Sequence, residues 1–304
     1  SYKENTMPLE DYIINVFCLI DDLYCKISKE NKIRKAGVGP AISDSEIITM
    51  LTVGEFLSMS DNSKIHAYFK EHYLHFFPKL EQESYKIFNK QATNLWNVIK
   101  IIHGYLLNTI PLDNWLLTDG FPLPICHYAR ASRSTLFKDK TGFSYCAAKN
   151  ERYYGFKVLL VTTASGLPVD YVIDSGNTDE RELLLRANLP PNSNVIGDKG
   201  FIGTEFAESL AQQSQARMIT QTRSNMLKQI PKSLNSLIVK FRKRIETCIS
   251  QLTERFSVAS TKARSYHGFI GRLNRKILSY TVALFFNYLL VNERFTQLEL
   301  LIQT

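Results

Sequence analysis

Asn194-Val-Ile-Gly-Asp-Lys-Gly-Phe201 runs through two apolar residues and then sets a carboxylate in a glycine-flanked corner beside a lysine. An apolar run that stops on such a corner reads as a short strand and its turn, because Asp and Gly are what turns and helix caps select. A second run, Trp115-Leu-Leu-Thr118, stops in the same way at Asp119-Gly120. Around these two, Tyr154 to Thr163 is a β-branched-rich strand, and Leu167 to Asp174 follows the Ser165-Gly166 turn as its hairpin partner. Arg217 to Thr222 reads as a further strand. Helical spacing marks Asp179 to Ala187, Glu205 to Gln213 and about Leu237 to Phe256. The order strand, strand, strand, helix, strand, helix, strand, helix predicts a mixed α/β sheet.

Upstream the texture is helical. Ser43-Asp-Ser-Glu46 is a capping box, with Ser43 as N-cap and Glu46 three residues on, and it opens the apolar pattern Ile47, Ile48, Leu51, Phe56, Leu57. Another helix covers Lys64 to Phe77 and ends at Pro78. A long one runs from about Ser84 to Leu107. The reading is an all-helical N-terminal domain over residues 1–110, followed by a sheet domain with C-terminal helices over 111–304.

The chain has 304 residues, 44% of them hydrophobic and 22% charged, the texture of a globular protein. Its longest apolar run, Ile277 to Val291, holds an internal Ser279 and Asn287 and is too short to span a bilayer, so it reads as a buried helix. The five cysteines are scattered without a CxxC pair, and no signal pattern is evident, which suits a reducing cytoplasm. Net charge is +8, unevenly placed. From Arg217 to Lys276 there are 14 Lys and Arg against two acids, Glu246 and Glu254, so this segment carries +12 and the remainder −4. Acids would be interspersed on a merely solvated face, so the segment points to a polyanion, most simply nucleic acid.

The third acid of interest lies inside that basic segment. Along Leu237 to Phe256 the stripe Ile238, Phe241, Ile245, Cys248, Ile249, Leu252 and Phe256 is apolar at helical spacing, with Glu246 on its flank and Arg242 one turn before. Each acid alone has a simple explanation: a turn for Asp119 and Asp198, a solvated or Arg-paired position for Glu246. Together they fall at the end of the first strand, the end of the fourth and on the helix after the fifth, 79 and 48 residues apart. A ribonuclease-H-like sheet brings those three positions to one point. Carboxylates so clustered repel unless a cation sits among them, and hard divalent cations take oxygen ligands. Two such ions serve in-line displacement at phosphorus.

The strings Leu116-Leu-Thr-Asp-Gly-Phe-Pro122, Tyr153-Tyr-Gly-Phe-Lys157, Ile196-Gly-Asp-Lys-Gly-Phe201 and Arg244-Ile-Glu-Thr-Cys-Ile-Ser-Gln-Leu252 resemble bacterial insertion-sequence transposases of the DDE type, and most of all the insertion sequence 982 family. The resemblance covers roughly Ser43 to Val291. It implies a ribonuclease-H-like catalytic domain that cuts and joins DNA at an element's terminal inverted repeats, with Mg²⁺ as cofactor and Mn²⁺ as its substitute. It carries the catalytic, metal-binding triad onto Asp119, Asp198 and Glu246. Related groups place a Tyr and a Lys around the Arg and Glu; here Arg242 fills the Arg place while Val239 and Thr253 stand at the others. The implied partners are double-stranded DNA and a second copy of the chain, with no membrane, in the cytoplasm and associated with the nucleoid.

Candidate DNA contacts follow from charge and place. Lys157 lies on the strand beside the first, Lys199 next to Asp198, and Arg130 and Arg133 in the link after the first strand. Lys262, Arg264, His267, Arg272, Arg275 and Lys276 form a basic strip, with Tyr266 and Phe269 available to stack on bases. Two other functions fit the same residues: a metal-dependent nuclease without joining, and a DNA-binding regulator without catalysis.

Overall fold

The computed structural model describes residues 6–34, 39–147, 150–222, 229–260, 263–291, 298 and 301–303. In chain order the elements are β1 (Met7–Pro8), α1 (Leu9–Glu30), α2 (Asp44–Phe56), α3 (Asn62–His72), α4 (Tyr85–Asn94), α5 (Trp96–Leu107), β2 (Trp115–Pro124), β3 (Gly142–Cys146), β4 (Glu151–Thr163) and β5 (Pro168–Ser175). Then come α6 (Glu180–Leu185), β6 (Asn194–Gly197), α7 (Thr204–Ser214), β7 (Arg217–Thr220), α8 (Lys232–Glu254), α9 (Tyr266–Val291) and β8 (Ile302–Gln303). They form two compact units, Ser1–Pro111 with Leu252–Thr304, and Leu112–Gln251.

The first unit is helical. The capping box forms as the sequence predicts: Glu46 N donates to Ser43 Oγ (3.1 Å) and Ser43 N to Glu46 Oε2 (2.6 Å). The helix that follows, α2, is buried nearly all round, because α1, α3, α4 and α9 pack against it. The predicted 84–107 helix is broken at Leu95 into α4 and α5. Just before the break the Thr93 hydroxyl returns to the Asn89 carbonyl (2.8 Å), a bond that bends helices. α3 ends at His72, short of the expected Phe77, and Pro78 instead opens a 3-10 turn.

The C-terminal helix belongs to this unit, where the sequence reading set it with the sheet. Leu273, Ile277, Leu278, Val282 and Leu284 of α9 are all at most 1% exposed, each such burial stabilising by about 2 kcal/mol. The polar residues in its apolar run are satisfied locally and across the bundle: Ser279 Oγ donates to Thr52 O (2.6 Å) and Thr281 Oγ1 to Ile277 O (2.8 Å). No helix among the described residues is long and apolar enough to cross a membrane.

The second unit is a mixed α/β sheet in the order β3-β4-β2-β6-β7, with β5 also paired to β4. β2 and β4 are antiparallel, as are β4 and β5, while β6 and β7 run parallel to β2. Gly166, at φ +99°, makes the β4–β5 turn in a backbone region that favours glycine. β3 comes from a stretch read as an irregular polar connection. Its Gly-Phe-Ser-Tyr-Cys sequence lacks a β-branched run, and both its faces stay partly exposed at the sheet edge. Successive β2 side chains take opposite faces. Leu116 and Val195 pack with Leu183, Leu184, Phe206 and Leu210 under α6 and α7; Leu117 and Ile196 pack with Ile238 and Ile245 of α8.

Candidate active site

The β2–β6 register sets the two aspartates side by side, although β2 does not stop at Asp119 as its sequence suggests but runs on to Pro124, because β4 continues to pair with it. Leu116 pairs with Val195 and Leu117 with Ile196, so two residues further on Asp198 comes level with Asp119. Both aspartates share the parity of Leu117 and Ile196, the face that α8 covers. Asp198 also keeps the simpler role that its sequence suggests. It caps a 3-10 turn over Lys199–Phe201, accepting from Gly200 N at 2.7 Å. One oxygen of the carboxylate thus fixes the turn that presents the other.

Charge gathers here without enough compensation. The Asp119 carboxyl is pushed up from 3.8 to about 7, first by burial and then by the neighbouring carboxylates Glu180 and Asp198. Opposing them are the Gly120 N–H, which donates to Asp119 Oδ1 at 2.9 Å, and the Arg242 guanidinium. Arg242 reaches this point from α8 and stands 4.0 Å from Glu246, one turn on, whose side chain is 58% exposed. Asp119, Asp198 and Arg242 are therefore brought together, and Glu246 is exposed on α8 beside the same arginine. Among the described residues no three His, Cys, Asp or Glu side chains are close enough to hold a metal ion.

Glu180, the first residue of α6, is a member of this cluster that the sequence reading missed. Its carboxylate lies against Gly120, where an added Cβ would come 2.5 Å from Oε1, so any larger residue there would displace the carboxylate. Burial raises its titration, Lys157 opposes that rise, and Asp198 adds to it. Lys157 Nζ stands 3.6 Å from Glu180 Oε1 and donates to the Thr178 carbonyl at 3.0 Å. Lys157 is thus half-buried and tied to a neighbouring acid. An acid opening a helix looks like a cap in sequence, and here the cap is its neighbour, Asp179, which accepts from Arg181 N.

The other expected DNA contacts divide by burial. Arg130, Arg133 and Lys199 are exposed on 3-10 turns of the sheet unit, and Arg264 and His267 are exposed at the start of α9. Arg272 is half-buried. Lys262 lies outside the described residues. Arg275 and Lys276, at 3% and 1% exposure, do not lie on a DNA-facing strip, because Glu55 of α2 draws both into the helical core.

No curated protein matches the chain, and no solved structure matches it. A family described as transposase DDE domain matches residues 112–266, a span that starts with the sheet unit and takes in β2, β6 and α8. That match covers just over half of the 304 residues, and the chain belongs to the transposase DDE-domain family.

Proposed function

We propose that the chain cuts and joins DNA at the terminal inverted repeats of a bacterial insertion sequence of the 982 type, by metal-assisted phosphoryl transfer on a ribonuclease-H-like sheet. The observation that carries this reading is the placing of Asp119 and Asp198 level on neighbouring parallel strands, under α8. The strand order β5-β4-β2-β6-β7, antiparallel on one side of β2 and parallel on the other, supports the ribonuclease-H-like part of it.

The donor chemistry fits a hard divalent cation, Mg²⁺ with Mn²⁺ as substitute. The donors are carboxylate oxygens, and Asp119 carries a titration raised by burial and then by the carboxylates of Glu180 and Asp198. When bound, such ions supply Lewis acidity at the phosphate and at the attacking oxygen. Asp119 and Asp198 would hold them in their ionised forms, and Glu246 would serve as the third acid. Arg242, already facing Asp119, meets a phosphate oxygen of the bound strand. Lys199, Arg130 and Arg133 hold the flanking backbone. Joining two element ends requires both to be held at once, so the working form is a homodimer on DNA.

The test supplies labelled DNA with the element's ends, then a pre-nicked end with target DNA, in Mg²⁺ or Mn²⁺. Boundary nicking with joined product supports the proposal. Nicking without joining makes the protein a nuclease, and binding without either makes it a regulator.

Glu180 acts here as a positioning residue, holding Lys157 and raising the proton affinity of Asp119. Glu180→Gln is expected to lower cleavage about 10–100-fold, the usual cost of losing an orienting partner, and to move the Asp119 titration to lower pH. If Glu180→Gln silences the protein while Glu246→Gln leaves it active, the third metal position belongs to Glu180.

A further inference from the structure

A cleft of about 620 Å³ opens in the helical unit between α4 and the start of α9, apart from the carboxylate cluster. Three arginines line it, Arg264, Arg272 and Arg275, and no Asp or Glu does among the described residues. Arg275 at its back is engaged by Glu55, by Asn62 and by the Ser60 carbonyl. Arg272 has no hydrogen bond or ion pair among the described residues. It is half-buried, and its burial and the Arg275 charge work against its proton, only partly offset by the charges of Asp61 and Glu55. A desolvated guanidinium beside another, with no carboxylate bonded to it, destabilises the fold unless an anion meets it.

The neutral groups around it add hydrogen-bond capacity. Asn89, which lines the cleft, accepts through Oδ1 from Asn62 Nδ2 at 2.7 Å, which leaves its NH₂ group to donate. Ser265 Oγ accepts from Gly268 N at 3.1 Å, which leaves its hydroxyl hydrogen to donate. Two guanidinium forks with amide and hydroxyl donors match the oxygens of a phosphate. The cleft volume lies in the range of nucleotide-sized sites.

We propose that this cleft is a phosphate-binding site that seats a backbone phosphate of bound DNA. The DNA source rests on the transposase reading, whereas the phosphate chemistry does not. The full-length protein and its Arg264→Gln/Arg272→Gln variant are compared for binding to a labelled mixed-sequence duplex between about 50 and 200 mM salt. The variant is expected to bind about tenfold more weakly, with a log–log salt slope smaller by about 1–2, and to melt at the same temperature or higher. Arg264→Gln/Arg272→Lys keeps one charge and recovers part of the slope. A second arm follows melting with added dAMP. If dAMP raises the melting temperature of wild type but not of the variant, while duplex binding is equal in both, the phosphate comes from a free nucleotide. Equal duplex binding with no dAMP effect overturns the proposal, as does a variant that only melts earlier. Nicking and joining do not enter this readout, so the cleft can fail while the transposase reading stands, and the reverse.

Discussion

Asp119→Asn is expected to lower metal-dependent nicking by about 10³-fold or more, with duplex binding nearly unchanged. Divalent cations contribute several kcal/mol to such a transition state, and each 1.36 kcal/mol is about tenfold in rate. Asn keeps the shape and the Gly120 hydrogen bond to its side-chain oxygen but removes the charge that holds the cation. The same substitution has a second effect, on stability in the absence of metal. Folding raises the Asp119 titration from 3.8 to about 7, so the folded chain holds that proton more tightly than the unfolded chain does. Its stabilising share is complete below about pH 4 and is lost as pH rises through about 7. Metal-free wild type should therefore weaken between about pH 5 and 8 by more than Asp119→Asn does, in urea unfolding at both pH values. In cleavage assays the cation competes with the same proton, so more Mg²⁺ moves the acidic limb of activity to lower pH. Nicking by Asp119→Asn at the wild-type rate would remove this residue from the active site.

Glu55→Ala is expected to destabilise the helical unit by about 3–5 kcal/mol, a large part of what a domain has. Its carboxylate, 1% exposed, binds Arg275 through Oε1 and Lys276 through Oε2 at 2.6 Å. Lys276 Nζ also donates to the Phe256 carbonyl at 2.7 Å. Without Glu55 two cations stay buried with no counter-charge. Lys276 then gives up its proton, which burial already loosens. The measurement is urea unfolding followed by Trp96 of α5, with Trp115 replaced by Phe so that only the helical unit reports. Adding Lys276→Met is expected to restore part of the loss, because a well-packed apolar chain replaces a stranded charge. A change below about 1 kcal/mol would mean that the triad is not what holds α9 to α2.

Much of the sheet unit was legible before its structure. Strand runs, turn residues and helix caps act over a few residues, so the strand beginning at Trp115, and Val195-Ile196 stopping before Asp198, could be read where they stand. The stop read at Asp119-Gly120 did not form, since pairing with β4 carries β2 on to Pro124. The capping box at Ser43 and the apolar stripe of α8 were local signals of the same kind, and both formed. Glu180 had no such signal, since its proximity to Asp119 depends on where the fold sets the start of α6 against Gly120 of β2.

The basic strip is where sequence and structure part. By sequence alone Arg275 and Lys276 continue a run of surface-like charges. Only the packing of α9 onto α2 brings them to Glu55, more than 200 residues away, and turns two exposed-looking cations into a buried triad. The same packing leaves Arg272, one turn earlier, facing a cleft that no Asp or Glu lines among the described residues. The sequence by itself determined the order of elements and the two aspartates, because short-range backbone preferences set both. Which charges meet water, which meet each other and which are left for a ligand was decided by tertiary structure, because desolvation depends on whatever the rest of the chain packs against the group.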